Sequence, residues 1–183
     1  DSVITKQKSK FDSNLNLYTG EALYVEIPEN KTGISYSLLF SEYLQLAEQI
    51  TIYDPYIRYP YQINNMIDFC NEIYNNQIDR VQLRLVTTNR IEERPKTQEQ
   101  FQRFKKSLEE EGRIEFSYHI RPAKDFHQRK IEINDDIEII LDRGLDIFKR
   151  FESLSIEKAR QESRKCKSFY VIYIDKRKKN KDV

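Results

Sequence analysis

The chain has 183 residues, enough for one domain with a core of its own, and 33% are charged against 38% hydrophobic. Twelve tyrosines and ten phenylalanines beside only four glycines exclude a disordered chain, which lacks large apolar rings. With 31 Lys and Arg against 30 Asp and Glu the net charge is +1, which excludes a histone-like coat held by bulk charge.

Residues 1–21 are polar without clear periodicity and read as a linker or loose N-terminal arm. Alternation over residues 22–27 predicts a strand, closed by Pro28. Ser35 is placed to cap a helix running to about residue 48, with Leu38, Leu39, Tyr43, Leu46 and Ala47 on its apolar face. Residues 50–53 read as a short buried strand ended by Asp54–Pro55. A second helix follows Pro60, since Ile63, Ile67, Cys70 and Tyr74 recur at helical spacing, widened by Met66, Phe69 and Ile73.

Residues 81–86 form the next strand, with Thr87, Thr88 and Asn89 at its carboxyl end. An amphipathic helix over 97–111 carries Phe101, Phe104 and Leu108, and Gly112 ends it. Strands over 114–120, 130–133 and 137–141 follow, then a short helical segment at 145–151 and a polar helix near 156–163. A strand over 168–174 completes the fold, and residues 175–183 read as a basic disordered tail. This order predicts one α/β domain over 22–174, a sandwich with a mixed, partly parallel sheet flanked by helices.

Cys70 and Cys166 form no CxxC pair, so neither a disulfide scaffold nor a zinc cluster is expected. A reduced, cytoplasmic setting follows, without metal or cofactor. Apolar runs are strand-length and predict no membrane span. The chain begins at Asp1 rather than Met and is read as a piece of something longer.

Only His119 and His127 can supply imidazole chemistry. His119 sits in a strand and reads as structural. His127, Arg129 and Asn134 stand in an H-x-R-x4-N arrangement, close to the H-x-K-x4-D pattern of phospholipase D-type phosphodiesterases. There the histidine attacks phosphorus or protonates the leaving oxygen, and the cation neutralises the phosphate oxygens. On one strand His127 and Arg129 share a face, and Arg129 can grip phosphate with a planar fork.

Asp54, Tyr56, Arg58 and Gln62 follow a buried strand, where α/β sheets place ligands beyond their carboxyl ends. They read either as the lining of a site, with Thr87 and Thr88, or as a plain turn with Arg58 solvated. Asp142–Arg143–Gly144 reads as a tight turn or an anion-facing loop, with Arg143 the candidate for ligand contact.

Together these blocks, Thr32–Phe40, Glu42–Leu44, Asp54–Arg58, Tyr61–Gln62, Asn65, Phe69–Cys70, His127–Arg129 and Asp142–Phe148, resemble the phospholipase D-like MIT C-terminal domain family. The resemblance spans roughly residues 22–174 and looks closest to prokaryotic members. It implies a phospholipase D-like fold that has kept part of one catalytic motif. In eukaryotic relatives the domain is a dimeric membrane-binding module. For prokaryotic members the resemblance implies an AAA+ or Lon-related ATPase in the same protein or complex.

Phospholipase D sites need two histidine motifs; this chain has one, with Arg129 for Lys and Asn134 for Asp. Recognition without hydrolysis is therefore expected. Asp54, Tyr56, Arg58, Gln62, Arg129, Asn134 and Arg143 would hold a lipid headgroup or nucleic-acid phosphate, at the peripheral membrane or in solution. The alternative is a metal-independent nuclease or phosphodiesterase, with two His127 residues meeting across a homodimer. Residues 176–183 carry a net +4 of the total +1, so residues 1–175 carry −3. Phosphate binding must then come from a few converging cations.

Overall fold

Alternation of apolar residues builds the sheet. Every second residue is buried in β2 (Ala22–Ile27), β7 (Ile137–Leu141) and β8 (Phe169–Asp175), so each strand turns one face to the core. The other strands are β1 (Asn16–Thr19), β3 (Gln49–Tyr53), β4 (Val81–Thr88), β5 (Ile114–Arg121) and β6 (Lys130–Ile133). In the computed structural model, which describes residues 3–11, 16–19, 22–89, 93–122, 127–150 and 160–178, they form one sheet. Its order is β1-β2-β8-β7-β6-β3-β4-β5. Neighbours β3, β4 and β5 run parallel, and every other pair is antiparallel. The fold is thus α/β with a mixed, partly parallel sheet.

The helices among the described residues gather on one face of that sheet. One row of register partners runs Tyr173, Ile139, Ile131, Ile52, Leu85, Tyr118 across six strands. Helix α2 (Tyr36–Leu44) stacks Tyr43 on Tyr173 at 5.2 Å, and α4 (Arg94–Glu111) lays Phe101 on Tyr118 at 5.0 Å. Phe11, just beyond α1 (Val3–Ser9), also reaches Tyr173, at 6.3 Å. Helix α3 (Pro60–Asn76) packs on α2 through Phe69 against Phe40 at 5.2 Å. Right-handed β-α-β crossovers put α3 and α4 on the same side.

Ser35 caps α2 as expected, its Oγ accepting from the Leu38 N–H at 3.1 Å. Replacing it with alanine is expected to cost about 1 kcal/mol. Thermal unfolding should then shift down by about 2–4 °C. Cys70 and Cys166 are free, buried thiols, pushed by burial up to about 12 and about 11, so both are core residues. Among the described residues no helix is long and apolar enough to cross a membrane.

Several expectations need correction. Helix α2 stops at Leu44, leaving Leu46 60% exposed. The buried stripe of α3 is Met66, Phe69, Cys70 and Ile73, and Ile67 faces outward. No helix forms over residues 145–150. Leu145 and Ile147 are buried on either side of half-buried Asp146, a strand period, and the segment runs extended. Its Phe148 bridges Cys166, with Lys149 N–H donating to Lys165 O and Lys167 N–H to Ile147 O, both at 2.8 Å. The expected helix near 156–163 lies mostly outside the described residues. What is described is a single 3-10 turn, Gln161–Ser163.

The N-terminal arm is not loose where it is described. It forms α1 and β1, which pairs with β2. A polar side chain anchors it: buried Gln7 donates from Nε2 to Leu38 O at 2.8 Å and to the Tyr173 hydroxyl at 3.2 Å. Hydropathy periodicity cannot register such an anchor. The basic tail begins ordered as well. Lys176 pairs with Glu138 at 2.9 Å and Arg177 with Asp175 at 2.7 Å, because Glu138 near the start of β7 and Asp175 at the end of β8 face them. Residues 179–183 lie outside the described set.

Candidate functional site

The site starts where β3 ends. Asp54 N–H still donates to Val86 O at 3.0 Å, and Pro55, lacking an N–H, stops the ladder. The Asp54 carboxylate then folds back, Oδ1 accepting from the Tyr56 N–H at 2.9 Å. From the end of β4 the Thr88 and Thr87 hydroxyls donate to Pro55 O at 2.8 Å and Ile57 O at 3.1 Å. Gln62, in the first turn of α3, accepts at Oε1 from the N–H groups of Arg58 and Tyr59, both at 3.0 Å. The loop is therefore fixed from three directions.

Arg129, just ahead of β6, closes over this loop. Its guanidinium lies 4.1 Å above the Tyr56 ring centroid, a cation–π contact. Nη1 donates to Asp142 O at 3.0 Å, and Nε stands 3.6 Å from Asp54 Oδ1, beyond hydrogen-bond reach. Among the described residues Nη2 has no acceptor, and the side chain stays 20% exposed. Arg129 is thus oriented and still has donors to offer.

The 142–146 loop forms the far wall. Gly144 has φ +58, and a Cβ there would stand 2.1 Å from Asp54 Oδ2 and 3.4 Å from Arg129 Cδ. The buried Tyr36 hydroxyl donates to Leu145 O and pins the loop to α2. Asp142 Oδ1 accepts from the Tyr170 N–H at 3.0 Å, and Asp146 pairs with Lys167 at 2.8 Å. Asp54 is only 4% exposed. Burial pushes its carboxyl up to about 6, with the Tyr56 N–H and Arg129 opposing and Asp146 adding to the rise. At 3.6 Å the arginine does not offset lost hydration.

The structure brings Asp54, Tyr56 and Arg129 together, with Arg58 and Gln62 in the adjoining turn. Arg58 is half-buried, its Nε without a hydrogen-bond partner among the described residues and its guanidinium 5.5 Å from the Tyr59 ring centroid. His127 is exposed, and among the described residues nothing hydrogen-bonds to its ring. Three candidates do other work. The Gln62 carbonyl is engaged in closing the loop. Arg143 donates from Nε to Ser168 O at 2.7 Å, tying its loop to β8.

Asn134 lies at the opposite end of β3. There Oδ1 accepts from the N–H groups of Glu48 and Gln49 at 2.8 and 3.0 Å. With φ 51 at Asn134 and 58 at Asp135, this is the type I′ turn joining β6 to β7, and the Asn-Asp pair between alternating strands was its signal. Thr87, Thr88, Asp142 O and Gly144 are the supports that sequence reasoning missed as such. Among the described residues no three His, Cys, Asp or Glu side chains gather to hold a metal ion.

Residues 33–175 match the family described as the phospholipase D-like domain at the C-terminus of MIT. The mouse (Mus musculus) MIT domain-containing protein 1 is 34% identical over 130 residues, 69% of this chain and 50% of that protein. The chain therefore spans about half the length of that curated relative. Phosphatidylserine synthase of Haemophilus influenzae Rd KW20 aligns at a TM-score of 0.45 and 9% identity, over 88% of this chain and 36% of that one.

Proposed function

Because the chain belongs to the family of phospholipase D-like domains found at the C-terminus of MIT, we propose that it is a non-catalytic phosphate-recognition module. Arg129 is its main grip, with His127 and Arg58 beside it. The observation that supports this is the posture of Arg129: one face on Tyr56, one edge on Asp142 O, and Nη2 unpaired among the described residues. A guanidinium oriented in this way loses little entropy when it takes a phosphate oxygen pair.

Hydrolysis needs more than a cation. A nucleophilic or acid histidine is oriented by a partner group, and His127 has none among the described residues. The other histidine, His119, sits on β5 in register with Val86, with β3 and β4 between it and β6. The same proposal includes the ATPase association and a homodimer, both resting on the family resemblance. Co-purification and sedimentation velocity test them.

Binding of the protein to phosphatidylserine-containing vesicles and to a labelled oligonucleotide tests the grip. Arg129→Ala is expected to weaken binding about 10- to 100-fold, the range for one charge-assisted contact pair. The loss should persist at high salt, whereas removing residues 179–183 should matter mainly at low salt. Unchanged affinity in Arg129→Ala would remove the proposal. Phosphodiester cleavage in EDTA that His127→Ala abolishes would replace it with the hydrolytic reading.

A further inference from the structure

Exposed rings concentrate beside the phosphate site. Among the described residues six large apolar or aromatic side chains are exposed, and Tyr56, Tyr59, Tyr61 and Ile67 account for four of them. Tyr59 and Tyr61 are 46% and 50% exposed and lie parallel, with centroids 6.3 Å apart and planes within 6°. The Arg58 guanidinium sits by Tyr59, as Arg129 sits on Tyr56. Exposed tyrosine faces flanked by arginines offer stacking and charge-assisted contacts to a ligand.

Tyr61 also lines a groove of about 510 Å³ between α3 and the extended segment 146–150. Asn64 and Asn65, one helical turn on from Tyr61, line the α3 wall. Lys149, Arg150 and Lys167 stand on the other side. Asp68 pairs with Arg164 at 3.2 Å and Asp146 with Lys167 at 2.8 Å, and Lys149 pairs with Glu29 outside the lining; with four cations against two carboxylates, the lining as a whole stays positive at +2. It does so within a body whose net charge is −3 over residues 1–175.

We propose that this groove and the Tyr59–Tyr61 pair bind single-stranded nucleic acid, the strand running from the Arg129 site along α3. This rests on the phosphate-recognition reading and names the polymer that carries the phosphate. Single-strand sites combine a cationic track for the backbone with aromatic faces on which unpaired bases stack, and both are present here. A duplex hides its base faces and would leave Tyr59 and Tyr61 unused. Tyrosines and cations also suit an anionic membrane surface, but the parallel Tyr59–Tyr61 pair offers flat faces that match unpaired bases better than headgroups, so vesicles form the comparison arm of the test. Because the body is acidic, stacking has to supply much of the affinity, and the salt dependence should be shallow. The net +2 of the groove lining predicts a slope of about −1 to −2 in log Kobs against log salt.

Fluorescence anisotropy with a labelled oligodeoxythymidine of about 12 nucleotides tests this, beside its duplex and phosphatidylserine vesicles. The single strand is expected to bind at least about tenfold more tightly than the duplex. Tyr59→Ala and Tyr61→Ala should each lose about tenfold, and Tyr59→Phe should retain wild-type affinity, because stacking needs the ring and not the hydroxyl. Both side chains are exposed and the Gln62 cap binds backbone, so the variants should keep the wild-type circular dichroism spectrum. If Arg129→Ala weakens binding while both alanine variants are silent, the groove inference falls and phosphate recognition stands. If the tyrosine variants lose binding while Arg129→Ala does not, the groove stands and the Arg129 site falls. Vesicle or duplex binding equal to that of the single strand would overturn the assignment of the polymer.

Discussion

Gly144→Ala is expected to lower the unfolding free energy by about 3 kcal/mol, visible as a fall of about 6–12 °C in Tm. Two costs combine. The backbone at φ +58 disfavours any Cβ by about 1 kcal/mol. The new methyl would also stand 2.1 Å from Asp54 Oδ2, and that carboxylate cannot retreat. It is held by the Tyr56 N–H, and its own backbone is bonded to β4. Overpacking of this kind costs about 1–3 kcal/mol. Gly33 and Gly112 have φ near +80 with open space around them, so their alanine variants should show the backbone cost alone. In an Asp54→Ala background the steric part of the Gly144→Ala cost should vanish, a coupling that a double-mutant cycle reads directly.

Asp54 should also make the protein's stability and its ligand affinity depend on pH. Its carboxyl titrates at about 6 when folded, above the ordinary 3.8, because it is buried. The folded state therefore keeps a proton that the unfolded chain releases. The stability contributed by Asp54 is whole below about pH 4 and is lost as pH rises through about 6. By pH 7.5 the loss amounts to about 2–3 kcal/mol. Asp54→Asn keeps an acceptor for the Tyr56 N–H and should flatten that part of the pH–stability curve measured by urea unfolding. The same titration bears on Arg129. An ionised Asp54 competes with phosphate for the guanidinium, and a protonated one does not. Measured in a His127→Gln background, oligonucleotide affinity should rise as pH falls through about 6. Asp54→Asn should bind tightly at every pH in that range.

The strands and helices were legible because their apolar residues recur at 2 or 3.6 residues and their ends carry Ser35, Pro28, Pro60 and Gly112. What escaped was held by polar contacts distant in sequence. Gln7 fastens α1 through three acceptors on α2 and β8, and no periodicity marks that. The 145–150 segment carries apolar residues dense enough for a helix, but its partner, 165–167, lies beyond the next turn.

The site divided the same way. Asp54 and Tyr56 stood out as a polar cluster at the end of a parallel strand, where ligands sit, and Arg129 by its spacing from His127. The demand for glycine at 144 comes from a carboxylate 90 positions earlier, and no local reading reveals such a contact. Asn134 shows the opposite error. A spacing match drew it into the site, although Asn-Asp between two alternating strands was already a turn signal.

The most direct test of Arg129 as the phosphate grip is to follow its guanidinium 15Nε resonance by NMR while the protein is titrated with the oligonucleotide. The geometry predicts a saturable shift of the Arg129 resonance, with the same midpoint as the anisotropy isotherm. A ligand that binds while the Arg129 resonance stays in place would contradict it.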